Sequence, residues 1–125
     1  NRPIEKQDYL QKLISKPENK RYYDNLKPAA KDRFDKYVFA YGNDYQEAVK
    51  AFYSIADISE KEIAAENLIM AKGFKDVVVT MTDGYVDVII VSKEMDDTTR
   101  AQIEDIVKRK LEVSADKITI NVIDT

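Results

Sequence analysis

Two groups of acidic residues have the types and spacing that could do chemistry. Asp96 and Asp97 are adjacent, and Asp83 and Asp87 lie four residues apart. Paired carboxylates can bind a divalent cation or act as an acid–base pair. Each group also has a simpler structural interpretation, because acidic residues cap helix N-termini and Asp before Gly favours a tight turn. We therefore interpret the first pair as a helix cap and the second as a turn residue followed by a solvent-facing strand residue.

The composition lacks the side chains on which most enzymes depend. The 125-residue chain contains neither Cys nor His, so it has no disulfide or thiol nucleophile and lacks the commonest general base near neutral pH. The hydrophobic fraction of 44% and the charged fraction of 34% are those of an ordinary folded domain. We therefore expect a folded protein that is not an enzyme and that needs no cofactor.

The sequence shows neither a membrane span nor a signal segment. No run approaches the roughly 18 consecutive apolar residues that a span requires, so the chain as it stands is expected to be soluble. It begins Asn1-Arg2-Pro3 without an initiator Met. Such a start is expected of a domain taken from a longer protein whose anchor or signal lies outside this sequence.

Charge is divided unevenly along the chain. Residues 1–57 carry 11 basic and 9 acidic residues, a net charge of +2, and residues 58–125 carry 9 basic and 14 acidic residues, a net charge of −5. An acidic domain has the wrong sign for a phosphate backbone, because affinity for nucleic acid depends on neutralising phosphates. We therefore expect no nucleic-acid partner.

Residues 1–57 are predicted to be a helical N-terminal region. Pro3, Pro17 and Pro28 stand at helix boundaries, because proline fits the first turn of a helix and breaks its interior. Two stripes at helical spacing follow: Phe34, Tyr37, Val38 and Tyr41 before Gly42, then Tyr45, Ala48, Val49 and Phe52 after a cap at Asn43 or Asp44. Seven of the eight Tyr residues lie in this region. We expect most of them to pack between helices, with contact to a partner as the alternative.

Residues 58–125 are predicted to form a second domain that contains two helices. Ser59 and Glu62 have the spacing of a capping box, so the first helix is predicted to begin at Ser59 and to end at Gly73. The second is predicted to begin near Asp96 or Asp97, where acidic side chains favour the positive end of the helix. The apolar sides of the two helices are Ile63, Leu68, Ile69 and Ala71, and Ile103, Ile106, Val107 and Leu111.

Three strands are predicted in the same domain. Residues 75–82 and 85–92 alternate in polarity and flank Asp83-Gly84, a dipeptide suited to a two-residue hairpin turn. The last strand is predicted over residues 117–123. The hairpin register places Met81 opposite Val86, Val79 opposite Val88 and Val77 opposite Ile90 on one face, and Thr80 opposite Asp87 and Val78 opposite Ile89 on the other.

The predicted fold class is α+β, a helix-strand-strand-helix-strand unit with two helices on one face of a three-stranded sheet. Two helices can cover only one face of such a sheet, so the other face must meet solvent, the N-terminal helices or another protein. Residues on that face are a candidate interface: Val78, Tyr85, Ile89, Val91 and Ile123. Cover by residues 1–57 is the alternative, because the apolar stripes of the N-terminal helices also need burial.

Two segments resemble the family of stage III sporulation protein AH of endospore-forming bacteria. Residues 65–79 read Ala-Glu-Asn-Leu-Ile-Met-Ala-Lys-Gly-Phe-Lys-Asp-Val-Val-Val, and residues 83–91 read Asp-Gly-Tyr-Val-Asp-Val-Ile-Ile-Val. The resemblance runs from near Ser59 to the C-terminus. It implies a ring-building motif over residues 58–125, similar to that of ring-forming lipoproteins of type III secretion systems.

The resemblance also implies a place and a partner. Members of the family are anchored in the mother-cell membrane around the forespore by a single N-terminal span, which is absent from this chain. Their extracytoplasmic domain binds the ectodomain of stage II sporulation protein Q across the gap between the two cells. Together the proteins form a channel-like ring complex, so a homo-oligomer within that assembly is expected. No catalytic residue, cofactor or metal ligand is implied.

Two physical routes to such an assembly are open. A wedge-shaped domain whose one face contacts a different face of the next copy makes a head-to-tail contact, which closes into a ring if the rotation divides a full turn. An exposed edge strand, either the last strand or one arm of the hairpin, could instead add to a partner's sheet.

A small nucleic-acid-binding module of the KH type is the alternative function. Its elements have a similar order, but it clamps the backbone with a Gly-x-x-Gly loop. Gly occurs here only at positions 42, 73 and 84, so that loop is missing, and the acidic charge of residues 58–125 also disfavours this function.

Overall fold

A computed structural model describes residues 6–41 and 44–124, with backbone only for residues 6–7 and 37–41. The chain divides into two compact units, Asn1–Ser59 and Glu60–Thr125. The helices are α1 (Lys6–Ile14), α2 (Pro17–Asp24), α3 (Pro28–Tyr41), α4 (Tyr45–Met70) and α5 (Asp97–Leu111), and the strands are β1 (Asp76–Thr82), β2 (Tyr85–Val91) and β3 (Ile118–Ile123). A single 3₁₀ turn, Ala115–Lys117, precedes β3. Helix α4 carries residues of both units.

The first unit is helical, as predicted, and has its own apolar core. Phe34 of α3 and Phe52 of α4 are fully buried, and their rings meet edge to face with centroids 5.6 Å apart. The core consists of Tyr9, Leu13, Leu26, Ala30, Phe34, Ala48, Phe52, Ile55 and Ala56. These apolar side chains are therefore buried within the unit itself.

Both predicted stripes and their caps can be compared with this unit. The Asp44 carboxylate accepts the Glu47 backbone N–H at 2.9 Å, so the predicted cap before Tyr45 is confirmed. In the first stripe Phe34 is buried. The remaining members of that stripe and its predicted end lie outside the described residues: the side chains of Tyr37, Val38 and Tyr41, together with Gly42 and Asn43.

The predicted helix start at Ser59 is wrong. Helix α4 runs without interruption through Ser59 and Glu62, which are both buried in its middle. The Ser59 hydroxyl accepts the backbone N–H of Lys27 at 3.4 Å, and the Glu62 carboxylate accepts the backbone N–H of Met81 at 2.7 Å. In a capping box the two side chains bond to backbone N–H groups at a helix N-terminus. Here they bond to other segments of the chain, so their spacing does not mark a helix boundary.

The hairpin has the predicted register. β1 pairs antiparallel with β2, with Met81 opposite Val86, Val79 opposite Val88 and Val77 opposite Ile90. The backbone φ of Asp83 is +52° and that of Gly84 is +81°, so both turn residues adopt the left-handed conformation of a two-residue hairpin turn. β3 pairs parallel with β2, which makes β2 the central strand.

The C-terminal part of α4 and all of α5 cover one face of this sheet. Its core combines Ala65 and Ile69 of α4, the inward side chains of β1 and β2, and the whole predicted stripe of α5: Ile103, Ile106, Val107 and Leu111. The predicted apolar side of α4 was partly wrong, because Leu68 and Ala71 are exposed. The buried positions 62, 65 and 69 instead follow the helical period.

Asp96 caps α5, and its replacement is expected to destabilise that helix. The Asp96 carboxylate accepts the Thr99 backbone N–H at 2.7 Å. This bond, with a further one to the Thr99 side chain, lowers the pKa of Asp96 below its ordinary value. The cap therefore contributes above the unfolded-state pKa, and its contribution is lost as the pH falls through the lower folded-state pKa.

Thermal melting measures this effect. Asp96→Ala is expected to melt below the wild type at neutral pH, and the difference is expected to shrink in acid. Asp96→Asn keeps a neutral acceptor and is expected to retain most of the cap. If the Asn variant melts as low as the Ala variant, the hydrogen bond is not what the residue contributes.

Candidate interface: the uncovered face and the edges of the sheet

The acidic groups that could have held a metal lie in structural positions. Asp96 caps α5, Asp83 is a turn residue, and Asp87 lies on the solvent side of the central strand. Within residues 6–41 and 44–124 no group of three potential metal ligands comes together. These carboxylates are placed as the structural interpretation expected, and the surface of the sheet is the remaining feature of interest.

All five candidate interface residues lie on the face of the sheet opposite α4 and α5. Val78, Tyr85, Ile89 and Ile123 are 38–57% exposed, and Val91 is half-buried. Side chains alternate between the two faces of a strand, and the burial of β2 alternates accordingly. Alternation along the strands therefore predicted that these side chains point away from α4 and α5, and their role in an interface stays a prediction.

A polar band divides this face into two parts. Asp87 lies between Thr80 of β1 and Thr119 of β3, so three polar side chains cross the sheet at one level. On one side of this band lies the apolar patch, which consists of Val78, Ile89, Val91 and Ile123. Val78 is paired with Ile89, and Val91 with Ile123, so these four side chains are direct or diagonal neighbours.

Tyr85 lies on the other side of the polar band. The Lys117 ammonium is 4.5 Å from the centroid of its ring and 3.4 Å from its hydroxyl. This cation–π contact gives the Tyr85 end of the face a cationic, polar character. The predicted set of five residues is therefore an apolar patch of four, which runs diagonally across the sheet between Asn121 opposite Ile89 and Asp76 opposite Val91, and a separate aromatic position.

Carboxylates of α4 occupy the outer edge of β1. The Glu66 side chain accepts the backbone N–H of Val79 at 2.8 Å, and the Glu62 side chain accepts that of Met81 at 2.7 Å. In a two-residue hairpin the pair Thr82 and Tyr85 is hydrogen-bonded, so the N–H groups of residues 79 and 81 point away from β2. Two of the donors that an edge strand would offer to another chain are thus already bound.

The outer edge of β3 is more open. The Ile123 carbonyl accepts the Ser92 N–H at 2.9 Å, which shows that residues 119, 121 and 123 turn their peptide groups toward β2. The peptide groups of Ile118, Ile120 and Val122 therefore point outward. Of these, the Ile118 N–H is bonded to Ala115, and the Ile120 carbonyl accepts from the Arg100 guanidinium at 3.2 Å.

The helical side of the domain carries a second surface that sequence reasoning missed. Leu68 and Met70 of α4 are each 39% exposed. An open groove of about 620 Å³ lies along α5 and is bordered by Lys72, which donates a hydrogen bond to Gln102 at 3.2 Å. The sequence contained a signal for this surface, because residues 68 and 70 do not share the helical spacing of the buried positions 62, 65 and 69.

The Tyr residues of the first unit have mixed surroundings. Tyr9 is buried, Tyr23 and Tyr45 are half-buried, and Tyr22 and Tyr53 are exposed. Burial raises the pKa of the Tyr45 hydroxyl above its ordinary value. Tyr53 donates to the Asn19 side chain at 2.8 Å, so an exposed ring also helps to hold the buried Asn19 in place. Of the five Tyr side chains described in this unit only Tyr9 is buried, so the expectation that most of them pack between helices stays a prediction.

The fold and its surfaces define a class of protein. A small α+β domain with a compact core and a partly apolar, uncovered sheet face has the features of an assembly module. The chain belongs to the SpoIIIAH-like protein family, whose model matches residues 42–120. This match confirms the resemblance that residues 65–79 and 83–91 indicated.

Two solved structures show the same fold. A chain of the structure of the SpoIIQ-SpoIIIAH pore forming complex matches with a TM-score of 0.58 and 15% identity, over 78% of this chain and 86% of that one. The type III secretion system protein EscJ of enteropathogenic E. coli matches with a TM-score of 0.50 and 19% identity, over 98% of this chain and 73% of that one. No curated protein sequence matches the chain. The predicted α+β ring-building fold with a helical N-terminal region is confirmed.

Both solved structures come from assemblies. The first is of a pore forming complex, and the second is of a protein of a type III secretion system. Among the helices of the described residues, none is both long and apolar enough to cross a membrane.

Proposed function

We propose that this chain is the extracytoplasmic domain of a sporulation assembly protein. In this proposal it binds the ectodomain of stage II sporulation protein Q and contributes to a ring or channel complex between mother cell and forespore. Membership of the SpoIIIAH-like family is the observation that carries the proposal. Residues 58–125 would be the ring-building-motif domain, residues 1–57 a helical extension, and a preceding segment the anchor in the mother-cell membrane.

The geometry of the sheet domain supports an assembly role. The apolar patch exposes aliphatic side chains from all three strands, and burying such surface contributes about 25 cal/mol per Å². Leu68 and Met70 lie on the opposite, helical side of the same domain. A patch on one side that contacts a different surface of the next copy is the head-to-tail arrangement from which rings are built.

The function proposed needs no catalytic group, metal or cofactor. Shape and apolar surface are sufficient for it, and one of the similar solved structures is of a pore forming complex. The candidate interface consists of the apolar patch together with Tyr85 at the far end of the same face.

Sedimentation of the purified chain tests the proposal. Alone it is expected to be monomeric or weakly self-associated, because the apolar patch is small. Mixed with the ectodomain of stage II sporulation protein Q, it is expected to form a faster-sedimenting complex that contains both proteins. A mixture that sediments as two independent species over the micromolar range would overturn the proposed partner.

A further inference from the structure

The two edges of the sheet differ in a way that selects how a partner can bind. We propose that the β3 edge takes up an extended segment of a different protein, which adds a fourth strand beside β3, and that the β1 edge does not. This inference rests on the proposed function, because the partner used to test it is the ectodomain of stage II sporulation protein Q. It adds a contact made by the backbone to any contact made by the apolar patch.

Two of the three outward N–H groups of β1 are already bound by side chains of its own domain. Strand addition depends on main-chain hydrogen bonds between the edge strand and the incoming segment. The outward N–H groups of Val79 and Met81 already donate to Glu66 and Glu62 at 2.8 and 2.7 Å. Hydrogen bonds to charged acceptors are stronger than neutral ones, so an incoming carbonyl would have to displace two carboxylates.

The β3 edge offers free backbone groups at the same spacing. The outward N–H groups of Ile120 and Val122 have no hydrogen-bond partner within the described part of the chain, and neither has the Val122 carbonyl. The Ile120 carbonyl accepts only from the exposed side chain of Arg100. A long exposed side chain holds such a contact weakly, because fixing it costs conformational entropy, so an incoming strand can replace it.

The core beneath β3 is also incomplete. The inward side chains of β1 and β2 that form the core are at most 9% exposed, whereas those of β3 are only half-buried. These half-buried side chains are Ile118, Ile120 and Val122. An added strand would place its own alternate side chains beside them on the core face. The segment that fits is therefore extended, with apolar residues at alternate positions and an acceptor for the displaced Arg100.

A second copy of this chain fits the edge less well. Head-to-tail pairing would set β3 of one copy against β1 of the next, where Glu62 and Glu66 already hold two of the outward N–H groups. Pairing of β3 with β3 would make a two-fold dimer in which both β3 edges are occupied. No further copy could then be added through this edge to form a ring. The occupant of the edge is therefore a strand from another protein.

Amide hydrogen exchange of the whole chain tests the inference without any substitution. In the free chain the Val79 and Met81 amides are expected to be protected, and those of Ile120 and Val122 to exchange rapidly. Saturation with the ectodomain of stage II sporulation protein Q is expected to slow exchange at Ile120 and Val122 by at least about tenfold. A complex that forms without slowing these two amides would overturn the inference and leave the proposed function standing. Failure to form any complex would overturn the proposed function, and the inference with it.

A pair of substitutions at Val122 gives the second test. Val122→Pro removes the outward N–H, which has no partner within the described chain, whereas Val122→Ala shortens the same side chain and keeps the donor. Affinity for the ectodomain is expected to fall about tenfold or more in the Pro variant relative to the Ala variant, with the circular dichroism of both unchanged. Equal affinities of two folded variants would overturn the inference.

Discussion

Ile90→Asp is expected to unfold the sheet domain, whereas Ile89→Asp, one residue earlier on the same strand, is expected to leave it folded. Ile90 is fully buried between the sheet and the helices, and Ile89 is 38% exposed on the other face. Removing a buried Ile side chain costs about 2–5 kcal/mol. An unpaired buried carboxylate adds several kcal/mol more, and the sum approaches the roughly 5–15 kcal/mol that stabilises a whole domain.

Circular dichroism during urea denaturation measures this pair. The Ile89→Asp transition is expected near that of the wild type, and Ile90→Asp is expected to lack a cooperative transition for the sheet domain. Comparable loss of stability in both variants would mean that the face bearing Ile89 is covered in solution.

The folded member of the pair then tests the apolar patch. Ile89→Asp places a charge at the centre of the patch, beside Val78, and is expected to weaken assembly or partner binding by at least about tenfold. Thr82→Asp is the matched comparison, because it adds the same charge to the same face beyond the polar band, beside Tyr85; binding lost only in Ile89→Asp assigns the contact to the patch and not to Tyr85. Unchanged sedimentation of the mixture with Ile89→Asp would remove the patch from the interface.

Local signals explain why the hairpin could be predicted. The Asp83-Gly84 dipeptide determines the turn, and the alternation of apolar residues on either side then allows one register. The structure has that register at every predicted pair. The cap at Asp96 is of the same kind, since the groups that interact lie three residues apart. In both cases the information lies within a few neighbouring residues.

Long-range pairing could not be predicted in this way. The parallel pairing of β3 with β2 depends on the return of the chain through α5, and the order of the strands was left open by the sequence. The same limit applies to the candidate interface. Alternation identified the outward side chains, but the polar band formed by Asp87, Thr80 and Thr119 appears only once the three strands are aligned.

Glu62 shows how a local signal can mislead. Its spacing from Ser59 fits a capping box, yet its carboxylate accepts a hydrogen bond from Met81, nineteen residues away. Sequence spacing indicates which groups can interact nearby and says nothing of a more distant donor. Glu66 repeats the contact one helical turn later with Val79, so the two carboxylates belong to the sheet edge and not to a helix end.

Glu62→Ala is expected to destabilise the sheet domain more than its position on a helix suggests. Glu62 is 1% exposed, and the substitution leaves the Met81 N–H without its acceptor. Loss of a hydrogen bond to a charged group costs about 1.5–3 kcal/mol. Glu62→Gln keeps a carbonyl oxygen in the same place and is expected to lose less. Glu60→Ala, an exposed position on the same helix, is expected to be nearly neutral.

Exchange of the Met81 amide connects this stability change to the edge itself. Protection at Met81 is expected to fall in Glu62→Ala and to persist in Glu62→Gln. Adding Glu66→Ala to Glu62→Ala removes both carboxylates that accept from Val79 and Met81, so the β1 edge is expected to become able to pair with another strand. We therefore expect sedimentation of the double variant to depend on concentration, since β3 of one copy can now extend along β1 of the next. A double variant that stays folded and monomeric at all concentrations would show that something other than these two carboxylates closes the edge.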